Sequence, residues 1–181
     1  MTLCGYRQEG PATQEVIVVI SSARIGIESI LPNEAWRFNE RGVKTLGRLY
    51  QQLSPYRECG LSIDDFVRLA CESKCFLAVD LSHNGAIVGI IRLVVEREIA
   101  GRYGVLHDTV VDATRRGQGI GKALTHRVVT TARNLQLRYI NFTLKPTRVE
   151  ANGMYQALGF QLVSAADPED KESTNHYRLT L

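Results

Sequence analysis

The pattern of apolar positions along the chain predicts one strand and two helices before a series of strands. The run EVIVVI at residues 15–20 is β-branched and predicts a strand. Between residues 39 and 53, apolar side chains recur at helical spacing, and a Ser-Pro pair then ends the pattern. A second amphipathic helix is predicted to begin after Ser62, because Asp65 stands three residues later in a weaker form of the capping box.

The rest of the pattern alternates between strands and helices. An Asn84-Gly85 dipeptide predicts a hairpin between a strand at 75–81 and a returning strand at 86–96. A glycine-rich loop then opens a helix with an apolar stripe from Ile120 to Leu135. The other predicted elements are strands at 103–112 and 139–144, a helix at 148–158, and closing strands in FQLVSAA and HYRLTL. This order indicates a mixed α/β sheet.

Composition fits one globular domain. The chain has 181 residues, of which 44% are hydrophobic and 23% charged, enough for a real core. Residues 1–14 are polar and are predicted to be a flexible tail. The net charge of +3 is too small to suggest a nucleic-acid partner, and no apolar run is long enough to predict a membrane span.

Cysteine usage points to a reducing compartment. None of the four cysteines forms a CxxC pair, and no histidine stands beside them at ligand spacing, so no metal site is predicted. In a domain of this size, we expect reduced and mostly buried thiols, as in a cytoplasmic protein.

The stretch RRGQGIGKAL, residues 115–124, combines three glycines with two arginines and a lysine. Glycine lets a ligand approach the main chain, and a helix that begins there offers unpaired N–H groups to an anion. The stretch therefore suggests a phosphate site, although taken alone it also fits a strand-to-helix turn without a ligand. A P-loop is excluded by Arg116 and Ala123, and a dinucleotide fingerprint by Lys122.

Two motifs resemble those of the GNAT superfamily of N-acetyltransferases. In VVDATRRGQGIGKAL, Arg116, Gly119 and Gly121 match the family's Q/R-x-x-G-x-G/A acyl-CoA segment. Downstream, EANGMYQALGF resembles its A-N-x-x-Y-x-x-x-G-F helix, and STNHYRLTL resembles the closing strand of many members. The resemblance departs at Ala113, where the family often has proline.

The resemblance implies a single GNAT-like N-acetyltransferase domain over residues 15–181. The expected fold is a mixed, mostly antiparallel sheet of six to seven strands, flanked by about four helices, with central strands that splay at the acyl-CoA site. The implied reaction moves an acetyl group from acetyl-CoA to a primary amine by direct attack in a ternary complex, without a metal. The alternative is a non-catalytic acyl-CoA-binding sensor or interaction domain on the same fold.

The resemblance also assigns the cofactor site. Loop amides would cradle the pyrophosphate, basic side chains would supply charge, and the backbone of Val110 and Val111 would bind the pantetheine arm like an added strand. Arg148 replaces an asparagine that binds CoA in many members, and we expect a phosphate or substrate contact there instead. The implied residues are Val110, Val111, Arg115, Arg116, Gly117, Gln118, Gly119, Ile120, Gly121, Lys122, Arg148 and Asn152. For Asn152, a cap on local backbone is the alternative.

His107 and Asp108 are candidate catalytic residues, because they lie on the strand before the glycine loop. Some relatives place Glu or His at the position of His107 to relay a proton through water, and a free imidazole has a pKa of about 6.5. The alternative is a partly buried histidine with a satisfied hydrogen bond. For Asp108, a structural hydrogen bond or a substrate-ammonium contact is favoured over catalysis. Strict alternation would place His107 on one face with Thr109 and Val111, opposite Asp108.

Tyr155 is the third candidate. The family aims this hydroxyl at the CoA sulfur as a general acid, whereas its helical spacing with Ala151 and Leu158 also fits a core position. Acidic residues on two expected rims of the acceptor site could attract a cationic amine, although solvated surface charge explains each of them as well. They are Asp64, Asp65, Glu169 and Asp170. The acceptor's identity and the oligomeric state stay open, and since many members dimerise, a homodimer is compatible with the resemblance.

Overall fold

The structure, a computed structural model, describes residues 16–20, 23–30, 40–54, 62–83 and 85–181. The predicted tail at 1–14 lies outside them. The strands are β1 (Val16–Ile20), β2 (Ala23–Ile30), β3 (Lys74–Asp80), β4 (Ala86–Glu98), β5 (Gly101–Val111), β6 (Tyr139–Leu144), β7 (Gln161–Ser164) and β8 (Asn175–Thr180). The helices are α1 (Glu40–Leu53), α2 (Ile63–Glu72), α3 (Ile120–Asn134) and α4 (Val149–Ala157), and a 3-10 turn covers Ala113–Arg115.

The strands form one sheet in the order β1-β2-β3-β4-β5-β6-β8-β7. All neighbours are antiparallel except β5 and β6, which run parallel. The predicted mixed, mostly antiparallel sheet with four helices is thus confirmed. The strand β2 was not predicted, and it brings the number of strands in the described residues to eight.

Local signals place the helix ends. The Ser62 side chain accepts a hydrogen bond from the Asp65 backbone, and the Asp65 side chain accepts one from the Ser62 backbone, which confirms the capping box of α2. At the end of α4, Gly159 takes a left-handed φ of 89°, as expected of a helix stop.

Two apolar clusters pack on opposite faces of the sheet. On the α1–α2 face, Leu46 and Phe66 pack with strand residues such as Ile90. On the α3–α4 face, Leu124 and Tyr155 belong to the second cluster, with strand residues such as Ile91 and Phe142. Neighbouring residues of β4 therefore point to different clusters, and the sheet is buried from both sides in its centre.

The central strands β5 and β6 separate soon after they meet. Their pairing consists of Gly104 with Ile140 and Val105 with Asn141. Beyond these pairs, β5 continues to Val111 and β6 to Leu144, so the facing edges of the two strands are not joined there. The predicted splay is confirmed, and it leaves an unpaired gap, here called the cleft, between β5 and β6 before the glycine loop.

A bulge interrupts β5 just before the loop. Ile90 pairs with Val110 and Arg92 with His107, so two residues of β5 face the single residue between them on β4. The first of the two, Asp108, has a left-handed φ of 50°. The extra residue ends the strict alternation expected from sequence, and that expectation was wrong for His107. Since residues directly opposite share a face, His107 lies on the same face as Arg92.

Candidate active site

The glycine loop between the 3-10 turn and α3 depends on left-handed backbone. Gly117 has a φ of 73° and Gly119, the N-cap of α3, a φ of 80°, which other residues rarely adopt. A Cβ added to Gly117 would meet no atom within 4 Å, so the space beside that residue is open. Gly121 serves packing instead, because its Cβ would lie 3.3 Å from Met154 Sδ.

The first turn of α3 has N–H groups that lack a partner within the helix. The amide of Ala123 makes the first helical bond, to the Gly119 carbonyl at 3.0 Å, and the glycine N-cap has no side chain to cap the preceding amides. Lys122 is exposed, Gln118 is half-buried, and the Ile120 side chain packs into the core. This arrangement fits a phosphate group: unpaired amides, the positive end of a helix and a nearby ammonium.

The two arginines of the loop, Arg115 and Arg116, make different contacts. Arg116 is exposed, and its Nε donates to the Val111 carbonyl at 3.2 Å. The Arg115 guanidinium instead forms an ion pair with Asp80, a carboxylate with no exposed surface. The Arg115 charge is thus engaged by a buried partner, and the phosphate contact expected of Arg115 stays a prediction.

The Val110 and Val111 side chains belong to opposite clusters, as expected of core residues. Val110 lies in the α1–α2 cluster, and Val111 packs against the α3–α4 cluster. Their backbone forms the edge of β5 that faces the cleft, at the point where β5 leads into the loop.

Asn152 is a structural residue. Its Nδ2 donates to the carbonyls of Lys145 and Arg148, at 3.1 and 2.8 Å. Its Oδ1 accepts from Tyr177 Oη at 2.6 Å and from Asn175 Nδ2 at 3.0 Å. The two amide protons and both lone pairs of the oxygen are thus used within the protein. These bonds brace α4 against the residues that follow β6 and against β8, and the cofactor contact implied for Asn152 stays a prediction.

Arg148 connects the cleft to α1. Its guanidinium donates to the Leu53 carbonyl at 2.8 Å, while Gln52 Oε1 accepts from the Ala113 backbone at 2.9 Å. The end of α1 is therefore attached to residues after β6 on one side and after β5 on the other. The phosphate or substrate contact predicted for Arg148 stays a prediction.

Asp108 belongs to a polar cluster under the bulge. Its Oδ2 accepts from Arg92 Nε and from Tyr50 Oη, and Arg92 also donates to Ser73 Oγ at 3.2 Å. Burial, and secondly the Asp108 charge, raise the pKa of Tyr50. Sequence reasoning missed Arg92 and Tyr50, although an arginine inside the apolar run AIVGIIRLVV was a signal. The structural hydrogen bond expected for Asp108 is present, whereas the substrate-ammonium contact stays a prediction.

Tyr155 lies in the core below the bulge. Its side chain is 3% exposed, its ring centroid is 4.2 Å from that of Phe142, and its hydroxyl contacts those of Thr109 and Thr125. Burial raises the pKa of Tyr155. The hydroxyl thus reaches the bulge from the α3–α4 face, whereas the exposed His107 lies on the α1–α2 face.

The predicted acceptor rims are only partly described. Residues 57–61 of the first rim lie outside the described residues, and Asp65 is occupied by the helix cap. On the second rim Glu172 pairs with Lys145 at 2.9 Å. A cavity of about 720 Å³ lies between α1 and the adjoining ends of β3 and β4. Its lining includes Arg48, Gln52, Asp112, Thr114 and Arg115.

Within the described ranges, no group of three or more His, Cys, Asp and Glu side chains is arranged to hold a metal ion. None of the helices in these ranges is long and apolar enough to cross a membrane. Cys75 is buried and Cys71 is exposed, both as free thiols, so the expected burial holds for one of the two described cysteines.

Comparison with solved structures shows the same fold. The GNAT domain of S. lividans PAT superposes with a TM-score of 0.69 at 16% identity, covering 96% of this chain and 100% of that one. A GNAT-family acetyltransferase from Streptococcus pneumoniae gives 0.67 at 17% identity, with 87% and 99% covered. A chain of the NatC complex bound to Gag peptide and CoA gives 0.64 at 17% identity, with 87% and 98% covered.

Sequence comparison identifies the family. No curated protein is similar enough in sequence to count as a match. The profile of the acetyltransferase (GNAT) family, however, matches residues 44–160, which include the bulge, the glycine loop and α4. The chain therefore belongs to the GNAT acetyltransferase family.

Proposed function

We propose that the protein is an acetyl-CoA-dependent N-acetyltransferase that acts on a primary amine by direct attack in a ternary complex. The carrying observation is the free edge of β5 toward β6, which begins after Val105 and ends at the glycine loop. An extended amide-containing arm can pair with such an edge as an added strand would. The pantetheine of CoA has two amides, and its pyrophosphate would then fall at the loop.

The loop residues fit that pyrophosphate. The loop and the start of α3 supply unpaired amides, open space beside Gly117 and two exposed cations, Arg116 and Lys122. Each charge-assisted hydrogen bond contributes roughly 1.5–3 kcal/mol, so three or four suffice for firm binding. Arg115 is left out of this set because of its pairing with Asp80.

The bulge supports amine attack from one face and thiolate departure toward the other. The amine nitrogen bonds to the thioester carbonyl carbon, the carbon–sulfur bond breaks, and the ammonium proton passes through water to His107 or solvent. His107 is exposed on the α1–α2 face, which suits the amine side. Tyr155 reaches the bulge from the other face, which suits the sulfur side.

Tyr155 acts in this scheme as a hydrogen-bond donor rather than a complete proton donor. A thiol has a reference pKa of about 8.5, and burial raises the pKa of Tyr155 above the ordinary value of a tyrosine. Full proton transfer from the tyrosine to the thiolate would therefore be uphill. A hydrogen bond to the departing thiolate stabilises the transition state, and solvent supplies the final proton.

We further propose a cytoplasmic setting and a homodimer. The exposed free thiol of Cys71 suits a reducing compartment. At the sheet edge, β7 pairs with β8 alone among the described strands, and its Leu162 and Val163 are exposed, which suits association through that edge. Sedimentation equilibrium would test the dimer, and a monomer at micromolar concentration would contradict it.

The deciding experiment pairs binding with turnover. Calorimetry with acetyl-CoA is expected to show binding, and CoA release is expected with at least one amine from a panel of polyamines, aminoglycosides and peptides with free lysines or N-termini. Binding without release for any amine would favour the sensor or interaction domain. Absence of acetyl-CoA binding by the folded protein would contradict both.

An isosteric pair of variants tests the loop itself. Gly117→Asn and Gly117→Asp place side chains of equal size in open space, and both residues tolerate left-handed backbone. Only Asp adds a negative charge. We expect Gly117→Asp to bind acetyl-CoA at least about tenfold more weakly than Gly117→Asn, a difference of about 1.4 kcal/mol. Equal affinities of the two variants would show that the pyrophosphate does not bind at the loop.

A further inference from the structure

A buried carboxylate at the end of β3 is tied to the glycine loop. Asp80 has no exposed surface, and its Oδ1 accepts from the Ser82 backbone at 2.9 Å. Its Oδ2 accepts from the Arg115 guanidinium and lies 2.9 Å from His83 Nδ1. Both oxygens are thus engaged, and Arg115 supplies the full positive charge that a carboxylate in this position requires.

The segment that contains Arg115 is anchored at two further points. The Asp112 backbone donates to the Val88 carbonyl of β4 at 2.9 Å, and the Ala113 backbone donates to Gln52 of α1 at 2.9 Å. With Asp80 of β3, three separate elements hold the 3-10 turn. The left-handed Gly117 follows only two residues after Arg115, so the place of the turn sets the place of the loop amides.

Arg115 cannot serve a phosphate and Asp80 at the same time. Its side chain is 24% exposed and points to Asp80, whereas the neighbouring Arg116 is exposed. Turning Arg115 toward a ligand would leave a fully buried carboxylate without its ion-pair partner. That loss outweighs the gain from one solvent-accessible charge-assisted hydrogen bond.

We infer that Asp80 is a positioning residue for CoA binding, which acts through Arg115 to hold the 3-10 turn and the loop amides in place. The inference rests on the proposed function, since the loop is taken as the pyrophosphate site. By this inference, Asp80 affects a ligand that it does not touch, through an arginine that lies 35 residues later in the sequence. It also predicts that Asp80 and Arg115 behave as one unit.

The test compares Asp80→Asn, Arg115→Gln and the double variant, with Arg116→Gln as the matched control. Each folded protein is titrated with CoA and with pantetheine, which lacks the pyrophosphate and the nucleotide. We expect both single variants to weaken CoA binding by about tenfold or more and to similar extents, with no further loss in the double variant. Pantetheine affinity should stay within about twofold of the wild type.

Salt dependence separates positioning from direct contact. The affinity of Arg116→Gln for CoA should fall less steeply with added salt than that of the wild type, because one cation facing the phosphates is gone. The slopes of Asp80→Asn and Arg115→Gln should match the wild type. If Asp80→Asn does not fold, the slope and the pantetheine affinity of Arg115→Gln decide the matter.

Three outcomes would overturn the inference. Loss of CoA affinity in Arg115→Gln with a flattened salt slope would make Arg115 a direct phosphate ligand. Equal losses for CoA and pantetheine would make the pair a general structural element. Unchanged CoA affinity in both variants would show that the Asp80–Arg115 pair plays no part in CoA binding. Failure of the wild type to bind CoA would instead contradict the proposed function itself.

Discussion

Arg92 and Asp108 form an ion pair beside the bulge of β5, with 12% and 25% of their side chains exposed. The same carboxylate oxygen accepts from Tyr50, so the aspartate has two donors on the α1–α2 face. The left-handed backbone at Asp108 is held in place by these contacts. These contacts suit a structural role for Asp108 at the bulge.

We predict strong coupling between these two residues in stability. Asp108→Ala and Arg92→Ala should each lower the free energy of unfolding by about 2–4 kcal/mol, because each leaves a shielded charge without its partner. The double variant should lose less than the sum of the two by about 1–3 kcal/mol. Urea unfolding measures all three variants.

The exposed pair of Lys145 and Glu172 provides the control, since 45% and 84% of these side chains are exposed. Breaking it should change stability by no more than about 1 kcal/mol. Additive losses at Arg92 and Asp108, as for two unrelated sites, would contradict the structural role given to the pair.

A second prediction concerns His107. If it relays the ammonium proton, His107→Ala should lower turnover most at neutral and lower pH, with little change in acetyl-CoA affinity. At higher pH the amine loses its proton unaided, so the deficit should shrink. His176→Ala is the control, since His176 is also an exposed strand histidine but lies on β8. A deficit that stays constant up to high pH would assign His107 a structural role.

The third prediction compares two buried tyrosines. Tyr155→Phe should reduce turnover by about 10–1,000-fold with less than a fivefold change in acetyl-CoA affinity, because the lost hydrogen bond belongs to the transition state. Tyr177→Phe also removes a buried hydroxyl, one that donates to Asn152, but away from the bulge. Both should lose about 1–2 kcal/mol of stability. Equal turnover in the two variants would place Tyr155 in the core alone.

The fourth prediction follows from the raised pKa of Tyr155 and Tyr50, caused first by burial. The folded state holds both protons at a pH where unfolded tyrosines release them. The raised pKa values of the two tyrosines therefore contribute their full stabilisation of the folded state below about pH 10, and this contribution declines as the pH rises further. Urea unfolding between pH 8 and 11 should show the decline, with a shallower slope in Tyr155→Phe and Tyr50→Phe. Identical slopes in all three proteins would contradict it.

Most of the fold could be predicted from periodicity and caps. Helix α1 was expected at 39–53 and lies at Glu40–Leu53, and α2 begins after Ser62 as its capping box predicts. The strand β2 was missed, although Ile25 and Ile27 alternate with Arg24, Gly26 and Glu28 in the pattern of a half-buried strand. Its place in the sheet comes from pairing with β1 and β3, which sequence periodicity does not record.

The site was predictable where chemistry follows local sequence. The glycine loop needs only its own residues and the helix after it, and both lie where the motif placed them. The partners of Arg115 and Asn152 come from distant strands, so a motif could not reveal that these side chains are already occupied. The bulge could not be predicted for a similar reason, because the extra residue of β5 is defined only by the pairing of β5 with β4.

The short pairing of β5 and β6 makes the sheet a hinged body. Beyond Val105 and Asn141, the half from β1 to β5 and the half from β6 to β8 share an apolar cluster that includes Leu106 of β5 and Phe142 of β6. Apolar contacts of this kind have no fixed direction, so they tolerate small rotations that a ladder of hydrogen bonds resists. A change in the width of the gap beyond Val105 would therefore break no main-chain bond between the two strands.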